Sequence, residues 1–208
     1  MNLMTNTLLL LRRSALLALA AGTLSGCAAL VAGGAVGTAM MVADRRSSGT
    51  VVEDQSIEIK SLTRISEAVG DRGHINVTSF NRTVLLTGEV ASEADRVAIE
   101  QAIARIETVR STVNELAVMA SASFTARSND SILTSKVKAS YVDAKDLQVS
   151  TIKVVTERGV VYLMGRVTER EAARATDLAR GVSGVQKVVR VFDILTDAEL
   201  AALGGTKN

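Results

Sequence analysis

The chain repeats itself. Ile75-Asn76-Val77 through Val84-Leu85-Leu86-Thr87-Gly88-Glu89-Val90 superposes on Ile152-Lys153-Val154 through Val161-Tyr162-Leu163-Met164-Gly165-Arg166-Val167 at a constant offset of 77. Further on the offset falls to 76, so that Val109 meets Val185, Val113 meets Val189 and Leu116 meets Phe192. Self-similarity at a fixed spacing means one supersecondary unit built twice. The 208 residues therefore divide into two small domains, not one large one.

Each copy reads as αββαβ. Asp54 and Asn129-Asp130 precede the first helical segment, with side-chain oxygens suited to capping a helix start. A hairpin follows, in which Ile75, Val77 and Ser79, then Val84, Leu86 and Gly88, alternate with their neighbours at period two. Asn81-Arg82 and Arg158-Gly159 supply a two-residue turn that tolerates left-handed backbone. Ser92-Glu93-Ala94-Asp95 and Thr168-Glu169-Arg170-Glu171 have the form of a capping box and open the second helix. A last strand, Ser111 to Met119 and Gln186 to Leu195, returns after that crossover helix and is expected to pair in parallel. The fold class is α+β, with a three-stranded mixed sheet covered on one face by two helices, twice over. Gly88 and Gly165 fall near the same strand end in both copies, where close backbone approach or a bulge explains a glycine.

The amino terminus is an address. Arg12 and Arg13 precede a short apolar stretch from Ser14 to Leu24, the pattern of an export signal. It ends in Leu24-Ser25-Gly26-Cys27, which resembles a bacterial lipobox and implies that Cys27 is acylated. This is the sole cysteine of the chain, so no intramolecular disulfide and no thiolate zinc site is possible. The absence of Asp at Ala28 favours the outer membrane, with the protein held on the periplasmic side. Residues 28–43 are small and apolar, with Gly33 and Gly37 in a GxxxG spacing, and sixteen residues fall short of the roughly 20 that span a bilayer. The boundaries expected are 1–26 signal peptide, 27–53 lipidated cysteine and tether, 54–120 first domain, 121–196 second domain and 197–208 tail.

The doubled xVxLxGxV pattern, followed by a Ser/Thr-Glu-x-Asp/Glu helix start and a terminal V-x-x-V strand, resembles the BON domain. The second copy is the closer match, through LMGRVTEREA and GVSGVQKVV. The first has Thr108-Val109 where the family pattern has a Gly-Val pair, so that turn is expected to differ in shape. The resemblance implies binding to phospholipid or other envelope surfaces, without catalysis, and a link to outer-membrane integrity and the cell-division site.

Charge supports such a role unevenly. Residues 54–120 carry 7 basic and 10 acidic side chains, a net of −3, while residues 121–208 carry 13 and 10, a net of +3. An anionic membrane attracts the second copy, at about 1 kcal/mol per Lys or Arg near the surface. There Phe124, Ser131, Ile132 and Leu133 stand beside Lys136 and Lys138, apolar groups next to cations as in an interfacial helix. The resemblance implies a bulky aromatic at the position of Ile132; its absence here means either a lower affinity or substitution by Phe124. Ile132, Leu133 and Val137 either pack on their own sheet or contact lipid, and Tyr141 is divided in the same way. The alternative is an adaptor whose sheet edges or acidic first copy receive an envelope-assembly or division protein. No cofactor, metal or nucleic acid is expected. His74 is the only histidine and reads as a surface or locally bonded residue, and Glu169, Glu171 and Asp177 have arginines at ion-pairing distance along their own helix.

Overall fold

A computed structural model describes residues 44–204. Cys27, the export signal and the small-residue tether lie outside the described residues. In chain order the elements are α1 (Ser48–Val69), β1 (Gly73–Phe80), β2 (Thr83–Val90), α2 (Glu93–Ala104), β3 (Ser111–Asn114), β4 (Ala117–Val118), α3 (Phe124–Val142), β5 (Ile152–Glu157), β6 (Val160–Val167), α4 (Glu169–Arg180), β7 (Lys187–Ile194) and α5 (Asp197–Gly204). β1 pairs antiparallel with β2, and β5 with β6. β2 then pairs in parallel with β3 and β4, and β6 with β7. Two mixed αββαβ units result. β3 and β4 are halves of one strand in the place of β7, parted at Glu115-Leu116, whose partial exit buries Leu116 in the core.

The helix starts differ from expectation. α1 is capped by Ser47 and α3 by Ser123, each hydroxyl accepting a first-turn amide. Asp54 and Asp130 thus lie inside their helices, buried, and residues 44–53 belong to the folded body instead of to a tether. Both aspartates have a different task. Asp130 accepts the amides of Arg158 and Gly159 at 2.8 Å each. Asp54 accepts those of Asn81 and Arg82 at 2.8 Å each. The four turn residues all have positive φ, so each carboxylate ties a left-handed hairpin turn to its first helix. The physical reason is that a two-residue turn of this kind leaves its own amides to be satisfied from outside. The capping boxes form as expected, fully at Thr168 and Glu171 and in part at Ser92 and Asp95. The segment expected as a tail opens on a similar arrangement, Thr196 with Glu199, and becomes α5.

The glycines are steric necessities. A Cβ on Gly88 would strike the carbonyl oxygen of His74, and one on Gly165 that of Thr151. Gly184 has φ 103°, whereas its counterpart Thr108 avoids positive φ, so the two turns do differ.

Helices cover one face of each sheet. Ile57, Ile99 and Ile103 pack on Val84, Leu86 and Val90 in the first unit; Val137, Tyr141 and Ala175 pack on Val161, Leu163 and Val167 in the second. Simple alternation predicts a solvated second face, and here the structure departs from it. Phe80 and Leu85 of one sheet meet Tyr162 and Met164 of the other, with Val113, Val155, Val189 and Val191 around them. The layers run helices, sheet, sheet, helices. β2 and β6 are buried on both sides, as near-continuous apolar strands should be. Polar contacts rim the seam: Asn81 Nδ2 donates to Asp193 at 2.7 Å, Asn76 Nδ2 to Glu157 at 2.9 Å, and Arg158 to the Gly88 carbonyl at 2.9 Å and the fully buried Glu89 at 3.1 Å. Each large side chain buried in the seam contributes about 1.5–3 kcal/mol, more than the ~0–1 kcal/mol of an exposed ion pair. The apolar contact sets the packing and the rim sets its register.

A strap closes the seam. Arg45 makes a two-pronged contact with Glu171 at 2.7 and 2.8 Å, and donates to the Arg166 carbonyl, while Arg166 donates to the Arg45 carbonyl at 2.8 Å. Arg46 pairs with Asp54 of the first unit at 2.8 Å and lies 4.0 Å from the centre of the Phe80 ring. The residues entering the body are thereby held to both units. The Arg45 guanidinium, helped by the Thr168 amide, holds the Glu171 carboxyl down from 4.5 to about 2. A carboxylate with a depressed folded-state pKa stabilises the fold above its unfolded value and loses that contribution as pH falls through the depressed one. Arg45→Ala is expected to lower unfolding free energy by roughly 1–3 kcal/mol at pH 7, with the gap to the wild type narrowing between pH about 4.5 and 2. Urea unfolding across that range checks it, and a gap that does not change with pH contradicts it.

Candidate functional site

α3 turns Asp130, Leu133, Val137 and Tyr141 inward. The Tyr141 hydroxyl donates to the Ala175 carbonyl at 3.0 Å, and burial pushes its pKa up, so Tyr141 is a core residue. The outer surface of the helix has a different character. Phe124, Ile132 and Val142 are 79%, 55% and 70% exposed. Ser131 and Ser135 turn their hydroxyls back to the carbonyls of Arg127 and Ser131 on their own helix, which lowers the polarity of this face.

The cations flank it. Among the described residues Arg127, Lys136 and Lys138 join no ion pair, nor does Lys145 just beyond the helix. Five of the seven basic residues at 54–120 are paired, namely Arg64, Arg72, Arg82, Arg96 and Arg110. The charge asymmetry of the sequence is thus sharpened in the fold: α3 keeps its cations free, while most of the first domain's are neutralised.

The six lipid-contact residues expected from sequence divide into three settings. Ile132 and Lys136 line a groove of about 470 Å³ between α3, the Arg158-Gly159 turn and the Ser183–Gln186 turn. Leu133 also borders it but is buried against the Gly184 turn, which corrects its assignment: its side chain is largely withdrawn from any bilayer because it lies on the inward stripe with Val137. Phe124, Ser131 and Lys138 recur every seven residues and so follow one line of the helix outside the groove. Arg127 and Val142 share the outer surface and were missed. Starting the helix at Asp130 hid its first two turns; the Ser123 cap was the signal that would have placed them.

Elsewhere the polar groups are structural. Glu169 pairs with Arg190, Glu171 with Arg45 and Arg174 with Asp146. Of the carboxylates on that helix only Asp177 has the expected intrahelical partner, Arg180 at 3.9 Å. His74 Nδ1 lies 3.6 Å from Glu89 and has no hydrogen-bond partner among the described residues. Among the described residues no three His, Cys, Asp or Glu side chains gather to hold a metal ion, and no helix is long and apolar enough to cross a membrane.

The chain belongs to the BON domain family, which it matches twice, over residues 53–120 and 129–196. It is therefore a dual BON-domain protein. It is 35% identical over 192 residues to the outer membrane lipoprotein DolP of Haemophilus influenzae, covering 91% of this chain and 99% of that one. This near full-length correspondence supports an outer-membrane BON lipoprotein of the DolP type. It is also 30% identical over 152 residues to a 21 kDa hemolysin of Actinobacillus pleuropneumoniae, covering 72% of this chain and 78% of that one. Neither the family nor the near full-length relative is named for a catalytic activity. Among solved structures, CdsD, a structural protein of the type III secretion system of Chlamydia trachomatis, aligns over 71% of this chain and 98% of its own at 10% identity; the TM-score of 0.29 is too low to carry an argument.

Inward and outward residues of α3 differ in what they contribute to stability. Leu133→Ala is expected to cost about 2–5 kcal/mol of folding free energy, whereas Phe124→Ala and Ile132→Ser leave it within roughly 0.5 kcal/mol. Thermal denaturation of the three variants checks this. Equal losses at Ile132 and Leu133 would contradict the assigned orientation of the helix.

Proposed function

We propose that the protein is a non-catalytic lipoprotein, acylated at Cys27 and held on the periplasmic side of the outer membrane, whose second BON domain docks on anionic phospholipid through α3. In this reading it supports outer-membrane integrity, including at the cell-division site. The observation that carries the proposal is the outer face of α3, where exposed Phe124, Ile132 and Val142 stand between Arg127, Lys136 and Lys138, which join no ion pair among the described residues. The cations draw the domain to a negative surface at about 1 kcal/mol each, within a screening distance of about 8 Å. The apolar side chains then enter the boundary between headgroups and acyl chains. Neither acts well alone, since steering without insertion is lost to salt and insertion without steering does not discriminate between lipids.

Co-sedimentation with phosphatidylglycerol vesicles is expected to be salt-sensitive, to exceed that with phosphatidylcholine, and to weaken at least tenfold in Lys136→Gln/Lys138→Gln, as the loss of about 2 kcal/mol implies. Phe124→Ala/Ile132→Ser is expected to weaken it without altering the preference for anionic lipid. Equal binding to neutral vesicles contradicts the proposal. So does negligible vesicle binding together with crosslinking of the first domain to one envelope protein, which would make the chain an adaptor.

A further inference from the structure

Across both sheets from α3, helix α1 carries a second uncovered apolar line. Val52, Ile59 and Leu62 are 64%, 67% and 59% exposed, and their spacing places them within an arc of about 80°. On the flank of that line Lys60 and Arg64 border a cleft of about 280 Å³ whose other wall is Arg105 and Ile106 at the end of α2, with Glu107. Lys60 and Arg105 join no ion pair among the described residues. Arg64 shares a pair with Glu67, but both side chains are more than half exposed, so the pair holds Arg64 weakly. Two carboxylates of α1 are paired away from this cleft, Glu53 with Arg82 and Glu58 with Lys153. The cleft itself has three cations and one carboxylate.

We propose that this α1–α2 surface is a second docking site for an anionic phospholipid bilayer. Lipid phosphate sits against Lys60, Arg64 and Arg105, and Ile59 and Leu62 enter the acyl boundary. The ligand chemistry is the one proposed for α3, but the residues are different, and the site stands or falls separately. Because the sheets lie between the two helical layers, the α1 and α3 surfaces look in opposite directions and one flat bilayer does not engage both. The body therefore has two membrane faces. Asp44 follows Cys27 by 17 positions, a reach of at most about 60 Å when extended, so an anchor at Cys27 permits either face to be the one held to the anchoring membrane, leaving the other for a second surface.

The test uses the mature chain with Cys27→Ser, read by sedimentation and by light scattering of vesicles. With no further substitution this protein is expected to cluster phosphatidylglycerol vesicles and not phosphatidylcholine vesicles. Lys60→Gln/Arg105→Gln, and separately Ile59→Ser/Leu62→Ser, are expected to cut clustering at least fivefold while sedimentation persists through α3. Lys136→Gln/Lys138→Gln is expected to cut clustering too, leaving residual salt-sensitive sedimentation that disappears when the two charge variants are combined. All these side chains are exposed, and an unchanged melting temperature confirms folding. Binding without clustering, or clustering unaffected by both α1 variants, overturns the inference and leaves the α3 proposal intact. Clustering that tracks self-association of the protein in light scattering overturns it as well. Sedimentation abolished by the α1 variants and untouched by the α3 variant would instead remove the α3 proposal and keep this one.

Discussion

A three-stranded sheet with helices on one side has a second side that must meet something. In this protein it meets its own duplicate. Phe80, Leu85, Tyr162 and Met164 close the two sheets on each other, and most other features follow from that contact. It explains why β2 and β6 are apolar on consecutive positions and why Asn76, Asn81 and Arg158 bond across to the other repeat. It also sends both helical layers outward. A single copy, with that sheet face in water, would expose a patch of the kind that drives association. The duplication is therefore the means by which each unit completes its core.

The polar groups refine what the apolar seam begins. Asp54 and Asp130 each lock a left-handed turn to a first helix, which brings the hairpin tip to a fixed place on its helix. Arg158 in one such turn reaches Glu89 of the other repeat. The Arg45-Arg46 strap adds a clasp from the chain's entry point to both units. A buried pair such as Arg45 with Glu171 is costly to break because the remaining charge loses its compensation. Orientation of α3 relative to the chain's entry into the body is thus held by specific contacts on both units.

Much of this was legible in the sequence. The repeat offset, the xVxLxGxV strands and the Ser/Thr-Glu helix starts specify αββαβ twice, and the turn residues at 81–82 and 158–159 adopt the backbone expected of them. The failures have physical causes. Asp54 and Asp130 have the chemistry of helix caps, and only the fold reveals that a distant turn supplies their amides. The sheet-to-sheet seam was written in Leu85, Tyr162 and Met164, apolar where strict alternation calls for polar, yet local periodicity cannot tell what covers a strand's second face. In the candidate site, the pairing of cations with apolar residues near 124–138 was readable. The division between outward Ile132 and inward Leu133 required the true helix start, and the freedom of Arg127, Lys136 and Lys138 from ion pairs depends on neighbours remote in sequence.

In the proposed reading, a sealed double-sheet body presents α3 outward to an anionic bilayer. Amide chemical-shift mapping of the mature chain, titrated with phosphatidylglycerol micelles and with neutral micelles, decides whether it does. Perturbations are expected along residues 124–142 and, more weakly, at residues 59–64 and 105, selective for the anionic micelles, with the amides of Phe80, Leu85, Tyr162 and Met164 unmoved. Perturbation centred on those seam residues, or an equal response to neutral micelles, would contradict it.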